Sequence, residues 1–320
     1  MTIKTYDIIV IGGGPSGLTA GLYAARGGMK TLLLERMGCG GQAIITDWIE
    51  NYPGFPEGIS GFELASKMEE QAKRFGVEIV TEEVINIEDV SRAEGGKSVK
   101  TTENIFNATA VVIASGANFK KLDVPGEAQL LGKGVSYCAT CDGPFFKGKE
   151  LVVVGGGDSA VQEAIFLTKF ASKVTLVHRR ERLRAAQTLG DKARANNKME
   201  FKFNTIVEKI NGAGSVESIT LKNLTDGKTE EYKAQGIFIF VGQEPNTAFL
   251  KGALTMDAAG FLLTDENMQS SVPGIFSCGD ARKKLLRQVV TACGDGALAS
   301  FAAQEYVEEV KGTSYDKKPL

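Results

Sequence analysis

"YDIIVIGGGPSGLTAGLYAARGGMKTLLLE", residues 6–35, changes its periodicity twice. The opening run is apolar and β-branched, as in a strand. Glycines halt it, Ala and Leu then recur at helical spacing, and "KTLLLE" reads as a second strand. Strand, glycine turn, helix and strand form a βαβ unit. Within it Gly12, Gly14 and Gly17 make G-x-G-x-x-G at the mouth of the helix. Gly12 supplies the tight turn, Gly14 lets backbone approach a pyrophosphate, and Gly17 lets helix and strand pack closely. Gly13, Pro15 and Ser16 fill the same loop, and Glu35 ends the second strand where an acid can bind ribose hydroxyls. A ligand-free tight turn is the weaker reading of a loop in this complete setting.

The plan recurs at "KELVVVGGGDSAVQEAIFLTKFASKVTLVHRR", residues 149–180. Here Gly155 and Gly157 are followed by Ala160, the accepted variant of the third glycine, with Asp158 and Ser159 between. Where the first unit has Glu35, the second has His178, Arg179, Arg180, Arg182 and Arg184. An acid would repel a 2′-phosphate and guanidinium groups would bind it, so this loop is expected to take NADPH. The alternative is a solvated helix-start face; the position at the end of the second strand favours the phosphate. The first loop, lacking a 2′-phosphate site, suits FAD, and Asp280 in "GIFSCGDA" can reach the flavin's ribitol hydroxyls.

The rest of the chain arranges itself around these loops. Its 320 residues, 43% hydrophobic and 24% charged, suit about two domains. A net charge of -2 gives no basic footprint, so a nucleic-acid partner is not expected. The first strand starts too early to leave room for a signal peptide, and the apolar runs are short of the ~20 residues a membrane span needs. A cytoplasmic protein without membrane association is the expectation. Residues 61–75 read as an amphipathic helix with Phe62, Leu64, Ala65, Met68, Ala72 and Phe75 near one face. A turn is expected at "AEGGK" (93–97), a long helix from about Gln288 to Lys311, and a frayed tail from residue 312. The fold class expected is α/β: two Rossmann-like three-layer domains, each with a β-meander, the second inserted into the first. Residues 1–117 and 247–320 form the FAD domain, and 118–246 the NADPH domain.

Between the loops lies "VSYCATCDGP", residues 135–144. A C-x-x-C pair is either half a zinc site or a dithiol redox centre, and zinc needs two further ligands. Cys39, Cys278 and Cys293 are isolated and His178 is the sole histidine, so no metal is expected. In a chain binding a hydride donor and a flavin, the pair reads as the next electron acceptor.

The ordered set "GGGPSG", "GGQ", "ENYPG", "CATCDG", "GGGDSA", "HRRERLRA", "GQEPNT", "GIFSCGDA" and "RQVV" spans nearly the whole chain and resembles the low-molecular-weight thioredoxin reductases. The resemblance implies a homodimer that passes electrons from NADPH through FAD and a Cys138–Cys141 disulfide to thioredoxin. It assigns Gly12, Gly14, Gly17, Glu35, Gly41, Gln42, Asn51, Gly279, Asp280, Arg287, Gln288 and Val289 to FAD, and Ser159, Arg179, Arg180 and Arg184 to NADPH, with His178 in support. Cys141 is implied to face the flavin and Cys138 to attack the partner. Asp142, the one acid beside the pair, is the candidate general acid and base, with a pKa expected to rise through partial burial. Phe145 and Phe146 are candidates either for a thioredoxin-receiving surface or for core. Glutathione-reductase-like enzymes, with an early C-x-x-x-x-C and a catalytic histidine, do not match. Two other readings remain: a reductase of another thiol partner, such as a glutaredoxin-like or peroxidase-linked protein, and a non-catalytic redox sensor.

Overall fold

The structure, a computed structural model, describes residues 3–46, 48–89, 91 and 96–314. The chain divides into two compact units, one of Met1–Asn118 with Glu244–Leu320 and one of Phe119–Gln243.

In the first unit β1 (Lys4–Ile11) has Ile8–Ile11 buried, because parallel neighbours flank it, helices cover the face of Ile8 and Val10, and Val84, Ile87, Val99, Leu250 and Leu262 cover the face of Ile9 and Ile11. Gly12 then turns the chain at φ +107°, and a Cβ there would lie 2.4 Å from Ala114 O. Next come α1 (Pro15–Arg26) and β2 (Thr31–Glu35), with Pro15 pre-set for the first helical turn. A Cβ on Gly17 would lie 1.8 Å from Gly12 O, so helix and turn touch through backbone alone. The helix α2 (Gly61–Arg74) is capped by Ser60, whose hydroxyl accepts Glu63 N–H at 3.1 Å. Its buried stripe is Gly61, Leu64, Ala65 and Ala72. Phe62, placed on that face from sequence, is 67% exposed, being about 100° round the helix from Gly61. Phe75 is also exposed, just past the helix end.

There follow β3 (Glu78–Thr81), β4 (Val84–Asp89), β5 (Lys97–Thr101) and β6 (Ile105–Ile113). The β4 and β5 strands pair antiparallel; the turn expected at 93–97 lies largely outside the described residues. The long β6 serves two arrangements, its start pairing antiparallel with β5 and its length pairing parallel with β1. The chain leaves through β7 (Ala117–Phe119).

The second unit holds β8 (Val135–Ser136), the short α3 (Ala139–Asp142), β9 (Glu150–Val154), α4 (Asp158–Leu167), β10 (Lys173–Val177), α5 (Gln187–Arg194) and β11 (Met199–Lys202). A meander follows, β12 (Thr205–Asn211), β13 (Ser218–Asn223) and β14 (Thr229–Lys233), and then β15 (Gly236–Ile239). Five strands form a parallel sheet in the order β11-β10-β9-β15-β8, while the meander is a separate antiparallel sheet. Leu151, Val153, Val161, Leu167, Leu176 and Phe238 fill the core under α4.

Returning through β16 (Gln243–Pro245), the chain adds β17 (Ile275–Ser277), which pairs parallel with Val111–Ile113 of β6. The last helix, α6 (Val289–Lys311), has its own capping box from Gln288 and Thr291. A Cβ on Gly296 would lie 2.2 Å from Ser16 O, so α6 lies directly on α1, with Ala299, Ala303 and Val307 joining Leu18, Ala20 and Ala24 in one core. The tail from residue 315, expected to fray, lies outside the described residues. Among the described residues no helix is long and apolar enough to cross a membrane.

Candidate active site

Two helices begin at glycine loops, and neither is capped by a side chain. That leaves the first-turn amides of α1 and α4 for an outside anion, in contrast to the Ser60-capped α2. Gly14 and Gly157 sharpen the point. Neither has positive φ; a Cβ on Gly14 would find nothing nearer than Gly41 Cα at 3.9 Å, and one on Gly157 only Arg184 Nη2 at 3.9 Å. Packing within the protein does not require glycine at either place. A ligand brought close to the backbone there would.

Around the first loop, Glu35 Oε2 accepts Gly13 N–H at 2.6 Å, so the acid that ends β2 also holds the loop. Gly279 rests on Ser16, whose Oγ would be 2.5 Å from an added Cβ, which brings Asp280 to the same place. Asp295 on α6 pins that turn by accepting Gly279 N–H at 3.1 Å and Lys284 Nζ at 2.7 Å. Gln42 donates to Asn118 at 2.9 Å, Asn118 to Asn246 at 2.9 Å, and Asn246 to Ser115 O at 2.9 Å. Asn51 donates to Gln288 at 3.0 Å, directly before Val289 opens α6.

Buried polar atoms are left over. Asp280 Oδ1, Arg287 Nε and Ser115 Oγ are shielded from solvent and have no hydrogen-bond partner among the described residues. Each such atom costs about 1–3 kcal/mol unless something pairs with it. Burial raises the Asp280 pKa against the pull of Lys284 and Arg287, and lowers that of Arg287, whose guanidinium lies 4.4 Å from the Phe261 ring centre. With the open space at Gly14, these atoms could pair with an extended ligand carrying phosphates and hydroxyls.

At the second loop, the segment after β10 folds back: Arg184 N–H donates to Gly156 O at 2.7 Å, and Ala186 N–H to Asp158 Oδ1 at 2.8 Å. Asp158 is therefore an anchor for this segment. Ala160 is buried and Ser159 exposed. Helix α5 begins only at Gln187, so Arg179, Arg180, Arg182 and Arg184 stand before it on a bend, exposed and without an ion pair among the described residues. His178 is 5% exposed and lies under Gly156, where an added Cβ would be 2.4 Å from its ring. Burial first, and then Arg184, Arg180 and Arg179, hold its pKa below the ordinary 6.5. The unfolded chain thus binds this proton at higher pH than the folded one. Stability should fall as pH drops from 6.5 toward the depressed folded value, and His178→Gln should remove that part of the slope in urea midpoints compared across the range.

Cys138 and Cys141 form a disulfide with Cα atoms 5.3 Å apart, closing the single turn of α3. Cys138 is the N-cap, its Sγ accepting Cys141 N–H at 3.2 Å. Asp142 Oδ2 accepts the Ser136 hydroxyl at 2.5 Å. Phe146 is core, packed edge-on to Phe238 at 5.2 Å, whereas Phe145 is 47% exposed. The remaining thiols are held protonated by burial: Cys39 and Cys278 are pushed up to about 12, and Cys293 is raised. Among the described residues no cluster of three metal-ligating side chains occurs.

The sequence pattern described as pyridine nucleotide-disulphide oxidoreductase matches residues 6–296. The chain belongs to the pyridine nucleotide-disulphide oxidoreductase family. Members of this kind use FAD and NADPH. Thioredoxin reductase of Peptoclostridium litorale is 50% identical to this oxidoreductase over 313 residues, 96% of this chain and 98% of the relative. That of Bacillus subtilis (strain 168) is 48% identical over 311 residues, 97% of each chain. The crystal structure of thioredoxin reductase from Streptococcus pyogenes MGAS5005 superposes with a TM-score of 0.91 at 45% identity, covering 96% of this chain and 100% of that one. The resemblance to thioredoxin reductases read from the motifs therefore holds across the oxidoreductase, as does the α/β fold class.

Several residues of these sites escaped the sequence reading. Ser115, Asn118 and Asn246 flank the crossings between units, and "GQEPNT" was the one signal pointing at Asn246. Asp295 and Lys284 carried no signal in a long helix and a basic run. Ser136 had only its place just before the cysteines.

Proposed function

We propose that this oxidoreductase reduces the disulfide of thioredoxin at the expense of NADPH. The observation that carries the proposal is the Cys138–Cys141 disulfide, set at the start of a helical turn with an acid at its end, in the same unit as the arginine-flanked glycine loop. Sustained turnover distinguishes this from a redox sensor. With thioredoxin present, NADPH oxidation should continue catalytically; one stoichiometric bleaching of the flavin and no more would indicate the sensor. Oxidised glutaredoxin-like and peroxidase-linked proteins tested alongside should be slower substrates.

Residues 1–117 and 247–320 are assigned to FAD and 118–246 to NADPH. The α1 amides with Gly12, Gly13, Gly14, Pro15, Ser16 and Gly17 would hold the pyrophosphate and Glu35 a ribose. Asp280, Arg287, Gln288, Val289, Gly279, Asn51, Gly41 and Gln42 would hold the remainder. Supporting this are the orphaned Asp280 and Arg287 atoms and the open space at Gly14. FAD, when bound, supplies the two-electron link between NADPH and the disulfide. Gly155, Gly157, Asp158, Ser159 and Ala160 shape the NADPH loop, His178 supports it from beneath, and Arg179, Arg180 and Arg184 receive the 2′-phosphate. Arg179→Ala with Arg180→Ala should raise KM for NADPH by about 10- to 100-fold while changing that for NADH little, because only the former carries the phosphate.

Cys138 is the attacking thiolate toward thioredoxin and Cys141 the resolving thiol, with Asp142 moving the protons. The protein is assigned to the cytoplasm as a homodimer, supported by exposed Tyr23 on α1, Phe62 on α2, and Leu298 and Phe301 on α6. Sedimentation should give twice the 34.2 kDa chain mass.

A further inference from the structure

One hydroxyl joins the disulfide turn to its acid. Ser136 ends β8, which is pinned in the parallel sheet by Ile237↔Val135 and Phe238↔Ser136 pairing, and is 3% exposed. Its Oγ accepts Cys138 N–H at 3.0 Å. A hydroxyl has one proton to give, and two acceptors are near: Cys138 O at 3.3 Å and Asp142 Oδ2 at 2.5 Å. The shorter bond, to Asp142 Oδ2, takes it. Because Cys138 N–H occupies a lone pair, the hydroxyl is aimed. The rigid sheet thus reaches through Ser136 to both ends of the C-x-x-C-D turn.

We infer that Ser136 is a positioning residue for Asp142: it holds Oδ2 and so sets how the carboxyl is presented to the dithiol. This rests on the reductase reading above and deepens it. In the exchange, the dithiol begins as Cys138 thiolate and Cys141 thiol, with Asp142 protonated. Cys138 Sγ bonds to one sulfur of the partner as the partner's S–S bond breaks, and the departing sulfur takes the Asp142 proton. Ser136 then holds the carboxylate. Cys141 gives its proton to Asp142 as its sulfur attacks Cys138 Sγ. The second partner sulfur leaves and takes that proton, and one electron pair has moved from dithiol to partner. Without Ser136 the carboxyl loses the bond that ties it to β8, and both transfers lose alignment.

The test is single-turnover reduction of oxidised bacterial thioredoxin by holoprotein pre-reduced with dithiothreitol, which bypasses NADPH. Ser136→Ala should slow the exchange about tenfold at saturating thioredoxin, with the half-saturating concentration little changed. NADPH reduction of the flavin, followed at its visible absorbance, should keep its rate. Ser136→Thr, which retains the hydroxyl, should restore most of the loss. In an Asp142→Asn background Ser136→Ala should add nothing, since the two act as one device. An unchanged rate in Ser136→Ala, or an equal slowing in both backgrounds, would overturn the inference; if the threonine variant fails to fold, this cycle decides. Full exchange by Cys138→Ser would instead sink the reductase reading itself.

Discussion

Cys141→Ser is expected to abolish thioredoxin-dependent NADPH oxidation, by on the order of 10³-fold or more, while the protein stays yellow. Cys138→Ser should do the same. The expectation is severe because nothing in the chain can substitute. Cys39 and Cys278 are held protonated, pushed up to about 12, and Cys293 is raised by burial, so none is a thiolate near neutral pH. Flavin should persist because the cysteine pair lies in the unit of Phe119–Gln243, while Gly14 and Asp280 lie in the other. NADPH turnover with thioredoxin, and absorbance near the flavin maximum, measure the two halves. Loss of colour in either variant would mean that the disulfide supports the fold.

Gly14→Val should give a folded, colourless protein. The residue sits at φ -71°, ψ -179°, open to any side chain, with only Gly41 Cα at 3.9 Å from an added Cβ. Stability should change by only about 1 kcal/mol. Bound flavin should disappear because the Val branches would occupy the place of the pyrophosphate. Gly17→Val provides the contrast. There the added carbon would lie 1.8 Å from Gly12 O, and destabilisation of about 3 kcal/mol or more is expected. Thermal melts and the flavin-to-protein absorbance ratio separate the two causes. A yellow Gly14→Val protein with an unchanged ratio would show that the loop does not bear on the cofactor.

Both βαβ units were legible because their signals are local: a glycine ends a strand, and a helical period starts three residues later. The cysteine pair was equally plain, since C-x-x-C needs only one turn of chain to close. Phe62 was misplaced because apolarity says nothing of angle, and the helix phase was set by small residues such as Gly61 and Ala65. The supporting place expected of His178 corresponds to a buried ring lying directly under Gly156, a contact that the sequence alone does not show. The chain from Gln42 through Asn118 to Asn246 joins residues up to 128 positions apart, and Asp295 secures Gly279 across a turn of unrelated sequence. Such side-chain geometry is set by tertiary packing and leaves no periodic trace.

Electrons are expected to cross from a nicotinamide to the Cys138–Cys141 sulfurs within one chain. Anaerobic titration of the yellow protein with NADPH, with alkylation of thiols at each point, follows both halves of that route. Uptake of about two equivalents per chain is expected, one reducing the flavin and one yielding two new thiols at Cys138 and Cys141. Uptake ending at one equivalent, with the disulfide still resistant to alkylation, would contradict it.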